Sequence, residues 1–400
     1  MEHDLIVVGG GLAGAALAKT LAEAGARVLV LEQEAAFKDR VRGEAMFCWG
    51  VAEARTLGIL ELLKGTCGHE VRHLVAQIAG VPDAPMRDLV ETSPHRVGML
   101  NFYHPHMQAT LLAAAEKAGA TVRRGVTVIG VSPGCPAMVR TREDGGERTC
   151  HARLVVAADG RDSGCRKWAG FAVRRDPACM ILAGLLFERL RAPEDRVHLA
   201  INPPLGQFAL TVPLGGGRFR VQAGVHRQGQ PVRLSGRRAV ADFVAASVAA
   251  GMPAAQYDGA EPAGPLACFE GADHWVDHPY RSGVALIGDA AAASDPDFGC
   301  GLSLALRDVR VLRDRLLADP NWDRAAQAYA EEHDRHYGAI HRLTGWMRPL
   351  LYDPGPAAAA YRARAWPRLA EDGERLPDTV GLGPEAPSDE AARRRLFGED

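Results

Sequence analysis

The start of the chain carries the pattern that most restricts how it can fold. Leu5–Val8 is a short apolar run rich in β-branched residues, as in a buried parallel strand. A GxGxxG pattern over Gly9–Gly14 follows, then small and apolar residues at helical spacing up to Gly25, and then a second apolar run that ends at Glu32. Strand, glycines, helix, strand and acid in this order predict a Rossmann-type βαβ unit.

Each part of this unit has a physical role in binding a dinucleotide. Gly9 permits a tight turn, Gly11 lets the backbone approach a pyrophosphate, and Gly14 lets the helix pack closely on the strand. The free N–H groups and the positive dipole end of the helix favour phosphate. The Glu32 carboxylate can accept hydrogen bonds from ribose hydroxyls. The pattern predicts a dinucleotide site but does not separate nicotinamide from flavin.

Two distant segments bear on that choice. Leu154–Ala158 predicts a buried strand, and Asp159–Arg166 after it predicts a sharp turn and a helix start. Val284–Ile287 predicts another buried strand, which leads through Gly288–Gly301 into a helix predicted from Leu302 to about Leu317. The chain therefore offers three strand-to-turn segments that could meet around one ligand.

Together these segments resemble the para-hydroxybenzoate hydroxylase-like FAD monooxygenases, the group A flavin enzymes. The family's GxGxxG, DGxxSxxR and GD…P…GxG segments occur here in the same order, at Gly9–Gly14, Asp159–Arg166 and Gly288–Gly301. The resemblance implies FAD as cofactor and NAD(P)H as transient reductant. It also implies that one oxygen atom of O2 passes through a flavin C4a-hydroperoxide to a small organic substrate, aromatic or polyketide-like, by hydroxylation or epoxidation.

The resemblance also implies roles for individual residues. Asp289 matches the carboxylate that hydrogen-bonds the ribityl chain of the flavin, and Pro296 lies where the family's loop passes the isoalloxazine. Gly301 and Leu302 match the helix N-terminus near the flavin pyrimidine. The full set of residues predicted to bind FAD is Gly9, Gly11, Leu12, Ala13, Gly14, Glu32, Arg42, His104, Gln108, Val128, Asp159, Gly160, Asp289, Gly301 and Leu302.

Two positions depart from the family pattern. Ala292 stands where the family often has a histidine, and His104 stands where a helix commonly begins with an arginine that contacts FAD. No residue is assigned as catalytic, because the chain shows no nucleophile constellation and flavin itself carries the chemistry. No metal site is expected either, since the eight cysteines form no C-x-x-C pair.

The expected fold class is α/β, with a discontinuous Rossmann-type FAD-binding domain, a sheet-rich substrate domain and a helical C-terminal extension. The FAD-binding domain is predicted to comprise residues 1–70, 101–172 and 276–320. The substrate domain is predicted to comprise 71–100 and 173–275, and the extension 321–400, which would close the pocket or form a dimer contact.

A predicted hairpin supports the second domain independently. Gln207–Leu214 and Arg218–Val225 alternate with period two around the turn Gly215–Gly217. We expect the apolar residues of both strands to share one face, and Arg220 and Pro296 to flank the pocket. Replacing Arg220 with alanine is expected to leave FAD binding unchanged. The side chains that could face a substrate are His198, Asn202, Phe208, Arg220 and Gln222.

Composition narrows the remaining possibilities. A formal net charge of −2 argues against a nucleic-acid partner. The sequence contains no run of 18 apolar residues, so we expect no membrane span. The scattered cysteines are expected to be free thiols in the cytoplasm. A monomer and a homodimer are equally compatible with the sequence.

Three other functions use the same motifs. A flavin halogenase shares the early Gly43-Glu44, but its W-x-W-x-I-P segment is missing and His274–Val276 is the nearest match. A geranylgeranyl reductase-like enzyme, which reduces isoprenoid double bonds, remains an alternative. A non-catalytic flavoprotein is a third, for which Ala292 is the one hint. NADH and NADPH are not distinguished by the sequence.

Overall fold

Two eight-stranded sheets organise the chain in the computed structural model, which describes residues 2–41, 43–81, 85–143, 145–228 and 234–400. The first sheet has a parallel centre, extended by antiparallel strands. Its strands in spatial order are Tyr280–Arg281, Val284–Leu286, Gly146–Ala157, His3–Val8, Val28–Glu32 and Thr121–Arg124. Ala137–Glu143 also pairs with Gly146–Ala157, and Thr127–Ser132 pairs with Ala137–Glu143.

The central strands of the first sheet contain the apolar runs Leu5–Val8, Val28–Leu31 and Leu154–Ala157, which are apolar because both faces of the sheet are covered there. Helices Leu12–Glu23, His104–Lys117 and Gly301–Ala318 pack on one face. A second cluster, which includes Val139 and Cys165, covers the other face. Parallel strands place their carboxyl ends at one edge, and that edge carries the three predicted turns.

The second sheet is mixed, and its strands come from residues 73–271. Their spatial order is Glu261–Pro262, Met180–Glu188, Arg218–His226, Gln207–Gly215, Arg196–Asn202, His73–Ile78 and Arg87–Asp88, and Ala267–Gly271 also pairs with Met180–Glu188. Two small sheets comprise Arg174–Arg175, His274–Trp275 and Ala292–Ala293, and Ala45–Met46, Met99–Phe102 and Gly68–Val71. The α/β fold class is confirmed, whereas the exact domain boundaries stay a prediction.

The predicted hairpin forms, but its apolar residues do not share one face as expected. Phe208 lies opposite Gly224, and Leu210 opposite Gln222, so these positions face the same side. Phe219 and Val221 face the other side, where they pack in a cluster with Phe243 of helix Val240–Ala250. The expectation was wrong because this sheet is buried on both faces, so alternation alone does not identify one inner face.

Helices dominate the C-terminal part of the chain. Trp322–Leu351 packs on Gly301–Ala318, and Arg87 binds Asp378 through two hydrogen bonds of 2.8 and 2.7 Å, which fasten the tail to the second sheet. The remaining helices are Cys48–Thr56, Leu60–Thr66, Leu89–Thr92, Gly164–Trp168, Pro356–Glu371 and Glu390–Phe397, with short 3-10 turns at Pro203–Leu205, Arg237–Ala239, Ala254–Tyr257, Gly288–Ala290, Pro296–Phe298, Gly373–Arg375 and Gly383–Glu385.

Two predictions from composition can be compared with the structure. All eight cysteines are free thiols, as expected. Within the described ranges, no helix combines the length and apolar character needed to cross a membrane. The cytoplasmic location stays a prediction.

Candidate cofactor and substrate site

A single large cavity lies between the two sheets and the C-terminal helices. Its volume is about 1820 Å³, well above the roughly 300–1,000 Å³ of a typical ligand pocket, so it has room for a cofactor and a second molecule. Most residues predicted to bind FAD line it. They are Gly9, Gly11, Leu12, Ala13, Glu32, His104, Gln108, Val128, Asp159, Gly160, Asp289, Gly301 and Leu302, together with Pro296.

The three glycines of the first motif meet different surroundings. A Cβ on Gly9, whose φ is +101°, would lie 2.4 Å from the Ala158 carbonyl oxygen, and one on Gly14 would lie 2.0 Å from the Gly9 oxygen. A Cβ on Gly11 would meet only the Gln108 amide nitrogen, at 3.5 Å. Gly9 and Gly14 are therefore required by the fold itself, whereas Gly11 leaves open space on the cavity side, as a bound pyrophosphate needs.

Glu32 holds the glycine loop Gly9–Gly14 in place, next to its predicted role in binding ribose. One of its carboxylate oxygens accepts a 2.7 Å hydrogen bond from the Gly10 N–H, and the other accepts a 2.7 Å bond from the Glu34 N–H. Each oxygen retains a lone pair toward the cavity that Glu32 lines. The arrangement suits a ribose hydroxyl, which would donate to a carboxylate already fixed in place.

Two helices begin at the cavity without a side-chain cap. Helix Leu12–Glu23 follows Gly11, which has no side chain to cap it. Helix Gly301–Ala318 follows Cys300, whose side chain accepts no hydrogen bond from the first turn. Backbone N–H groups at such ends attract anions. The first helix suits the pyrophosphate of FAD, and the second suits the negative charge that a reduced flavin pyrimidine carries.

A buried network fixes the turn that carries Asp289. The N–H of Gly288 donates a 2.8 Å hydrogen bond to one oxygen of Asp308, and the other oxygen of Asp308 lies 2.8 Å from His333 Nδ1 and 3.0 Å from His336 Nε2. Burial alone would raise the pKa of Asp308, but the two histidines outweigh it and hold this pKa below its usual range. These spacings are those of hydrogen bonds, and no pattern in the sequence indicates that the three residues meet.

The second predicted segment closes the cavity from another side. The Asp159 carboxylate accepts a 2.6 Å hydrogen bond from the Ser163 hydroxyl and a 3.0 Å bond from the Cys165 N–H. Ser163 in turn caps helix Gly164–Trp168. Asp159 therefore stabilises the turn in which Gly160, with φ +82°, lines the cavity.

Arg220 lies behind the cavity wall rather than on it. Its fully buried guanidinium donates to Glu44 at 2.8 Å and to Asp39 at 2.9 Å. Glu44 lines the cavity and also accepts a 3.2 Å hydrogen bond from the N–H of His104, the first residue of helix His104–Lys117. Burial raises the pKa of Glu44, although Arg220 opposes this. Arg220 thus positions the wall around His104, while its place beside a substrate stays a prediction.

The other predicted positions are divided. Phe208 and Gln222 line the cavity. His198 instead bonds Gln77 at 2.7 Å, and Asn202 donates to the Ala249 carbonyl. Arg42 lies outside the described residues. The contacts of all these side chains with FAD or substrate stay predictions.

Two groups of lining residues were not predicted as part of the site. The C-terminal region contributes an apolar wall that includes Trp366, Leu369 and Leu376. The flavin loop 295–297 brings Asp295 and Asp297 beside Asp273 and Arg348. Two aspartates around one proline were the only signal in the sequence, and their partners lie far away along the chain.

The second sheet forms an apolar roof over the cavity. Its contributing side chains come from three adjacent strands, each of which places alternate residues on the cavity side. The roof is defined here as Leu74, Ala76, Ile78, Val197, Leu199, Ile201, Phe208, Leu210 and Val212.

Comparisons with known proteins agree with this geometry. Residues 2–337 match the FAD binding domain family. The ubiquinone hydroxylase UbiL of Rhodospirillum rubrum is 30% identical over 352 residues, which cover 79% of this chain and 72% of UbiL. The squalene monooxygenase SE1 of Panax ginseng is 26% identical, with 78% of this chain and 58% of SE1 covered.

Solved structures agree in fold. The p-nitrophenol 4-monooxygenase PnpA of Pseudomonas putida DLL-E4 superposes with a TM-score of 0.75 at 20% identity, over 93% of this chain and 95% of PnpA. The chain belongs to the FAD-dependent group A monooxygenases. The predictions of family, of FAD as cofactor and of an oxidoreductase are therefore confirmed.

Replacing Asp289 with alanine tests the predicted ribityl contact. A hydrogen bond to a charged acceptor is worth about 1.5–3 kcal/mol, so we expect FAD to bind roughly 10- to 150-fold more weakly. Fluorescence titration of the apoprotein with FAD measures this. The exposed Asp258→Ala variant is the control and should bind FAD like the parent chain. Equal FAD affinity in both variants would show that Asp289 does not hold the cofactor.

Proposed function

We propose that this monooxygenase inserts one oxygen atom of O2 into an apolar substrate with a long hydrocarbon portion. The observation that carries the proposal is the roof, which presents nine apolar side chains on three strands to the cavity. Burial of such a chain is favoured by about 0.8 kcal/mol per CH₂ group. UbiL and SE1 are named for ubiquinone and squalene, which are both isoprenoid lipids.

The residues of the chain supply orientation and exclude water, while bound FAD supplies electron transfer and oxygen activation. The roof and the C-terminal wall would hold the hydrocarbon, which leaves the reacting group of the substrate beside the loop Pro296–Phe298 and the helix start at Gly301. This division of labour needs no covalent catalyst.

Matched substrates test the proposal. The holoprotein is given NADH or NADPH with a prenylated phenol, the same phenol with a shorter prenyl chain, and the phenol alone. We expect oxygen uptake and a product heavier by one oxygen atom, with a KM at least tenfold lower for the longest chain, because each added CH₂ group contributes about 0.8 kcal/mol. Equal kcat/KM for the phenol alone would contradict the proposal. Reduction of the prenyl chain without oxygen uptake would instead support the reductase alternative.

A pair of variants locates the hydrocarbon. Leu210→Arg places a charge on the roof, and Leu317→Arg places the same charge at a side chain that is 55% exposed. We expect Leu210→Arg to raise the KM for the prenylated phenol more than tenfold while FAD content is unchanged, since an apolar chain would have to pack against an ion. Leu317→Arg should behave like the parent. Identical KM values for the two variants would show that the chain does not lie under the roof.

A further inference from the structure

Three buried carboxyls, those of Asp273, Asp295 and Asp297, lie at the flavin loop 295–297. Asp297 lines the cavity between Pro296 and Phe298, and its side chain is fully buried. Asp295 and Asp273 are also buried. One guanidinium, that of Arg348 on the long C-terminal helix, faces the group.

The carboxyl of Asp297 has no hydrogen-bond donor among the described residues. The nearest cation is Arg348, whose Nη1 lies 3.6 Å from Asp297 Oδ2, beyond hydrogen-bond distance, while its Nη2 binds Asp295. An ionised carboxylate buried without donors is strongly unfavourable, whereas a carboxylic acid can donate to a neighbour. The adjacent acid is Asp295, whose Oδ1 accepts a 3.0 Å hydrogen bond from the backbone N–H of Asp297.

Burial, and then the charge of Asp295, raise the pKa of Asp297 well above its usual range. Burial and Asp295 likewise raise the pKa of Asp273 to about 6. The other charged or titratable groups packed around the three aspartates are Cys179, Cys300, Tyr337, His341, Arg348, Tyr352 and Asp353.

A route connects this group with solvent. Asp273 accepts a 3.0 Å hydrogen bond from the Tyr337 hydroxyl, and its pKa depends on the charge of Asp295. His341 Nε2 lies 2.7 Å from Asp176, and one side-chain ligand atom from each of Asp176, Asp273 and His341 falls within 4.8 Å of the others. The side chains of His341 and Asp176 are 31% and 42% exposed. Acid groups therefore run from the protein surface to the cavity.

We propose that Asp297 and Asp295 form an acid pair that delivers a proton to the cavity in each turnover, and that Asp273 and His341 return a proton from solvent. The inference rests on the monooxygenase reaction of the proposed function. That reaction consumes substrate, O2, NAD(P)H and one proton, and it yields oxygenated substrate, NAD(P)⁺ and water. One oxygen atom of O2 enters the substrate; the other leaves as water, and the Asp297 proton becomes one of the two hydrogens of that water.

The pair is tested first without turnover, by infrared spectroscopy of the resting holoprotein. At about pH 8, far above the ordinary aspartate pKa of about 4, the parent should show the C=O band of a protonated carboxylic acid. Asp297→Asn, which is isosteric, should lack this band. Glu270→Gln removes an exposed carboxyl from the neighbouring strand and should retain it. Absence of the band from the parent would overturn the proposal whatever the substrate is, and needs no variant to fold.

Kinetics then test the delivery of the proton. Asp297→Asn should keep its FAD content and its rate of flavin reduction by NAD(P)H, while oxygenation slows about 100-fold, the lower range for loss of a general acid. Asp297→Glu should restore part of the rate. Asp273→Asn should remove an inflection near pH 6 from the pH profile of oxygenation. Unchanged oxygenation in Asp297→Asn would overturn the proton role. If no substrate is oxygenated by the parent, the proposed substrate class fails, and the infrared result still decides the acid pair.

Discussion

Replacing Arg220 with methionine is expected to lower the free energy of unfolding by about 3–5 kcal/mol, because it leaves a buried charge without its partner. The guanidinium is fully buried, and so is the side chain of Glu44, which it binds at 2.8 Å. Asp39, bound at 2.9 Å, is nearly as buried. Denaturant unfolding followed by fluorescence measures the change.

Two controls separate charge burial from simple loss of a side chain. The double variant Arg220→Met with Glu44→Gln should recover part of the loss, since a neutral amide at residue 44 needs no counter-ion and can still accept the His104 N–H. The surface pair of Arg227 and Glu270 is largely exposed, so Arg227→Met should cost no more than about 1 kcal/mol. Equal losses in Arg220→Met and Arg227→Met would refute the structural role of Arg220.

This expectation concerns stability and stands beside the one drawn from sequence, in which loss of Arg220 leaves FAD binding unchanged. The sequence predicts that Arg220 lies on a strand, but it does not indicate that Arg220 pairs with Glu44, which lies 176 positions earlier. Through Glu44 and His104, the ion pair supports one wall of the cavity. This charge pairing depends on how the segment that carries Asp39 and Glu44 packs on the strand Arg218–His226, and no local pattern encodes it.

The dinucleotide-binding motifs were predictable because their constraints are local. One short segment contains Gly9, whose φ of +101° favours glycine, together with the strand before it and the helix after it. The edge at which Gly9, Asp159 and Gly288 meet follows from the parallel pairing of three strands. Parallel strands end at the same edge of a sheet, so this pairing predicts which distant segments meet without knowledge of any side-chain contact.

The parts of the site that sequence missed depend on contacts between elements. The acid pair needs Arg348 from a helix some 50 residues beyond the flavin loop, and the roof needs a sheet covered on both faces. The Asp308 network needs His333 and His336, which lie one turn apart on helix Trp322–Leu351. That helix packs on Gly301–Ala318, which carries Asp308. Each residue is ordinary in its own segment, and its role appears only when the helices are in place.

Substitutions at Gly14 and Gly11 are expected to separate the fold role of the first motif from its binding role. A Cβ on Gly14 would lie 2.0 Å from the backbone oxygen of Gly9. Neither backbone can yield without opening the helix–strand contact, so Gly14→Ala should lower the free energy of unfolding of the apoprotein by about 3 kcal/mol, the upper range for overpacking. Thermal or denaturant unfolding without added FAD measures this directly.

Gly11→Ala should give the opposite combination. Gly11 has a φ of −69°, which alanine adopts readily, and its Cβ would meet nothing nearer than Gln108 at 3.5 Å. The apoprotein should therefore remain as stable as the parent. The methyl group would occupy the space that the pyrophosphate needs, and a cost of about 1–3 kcal/mol corresponds to FAD binding roughly 5- to 150-fold more weakly. If Gly11→Ala bound FAD with the parent's affinity, the phosphates would have to lie elsewhere in the cavity, and the other predicted FAD contacts would have to be reassigned with them.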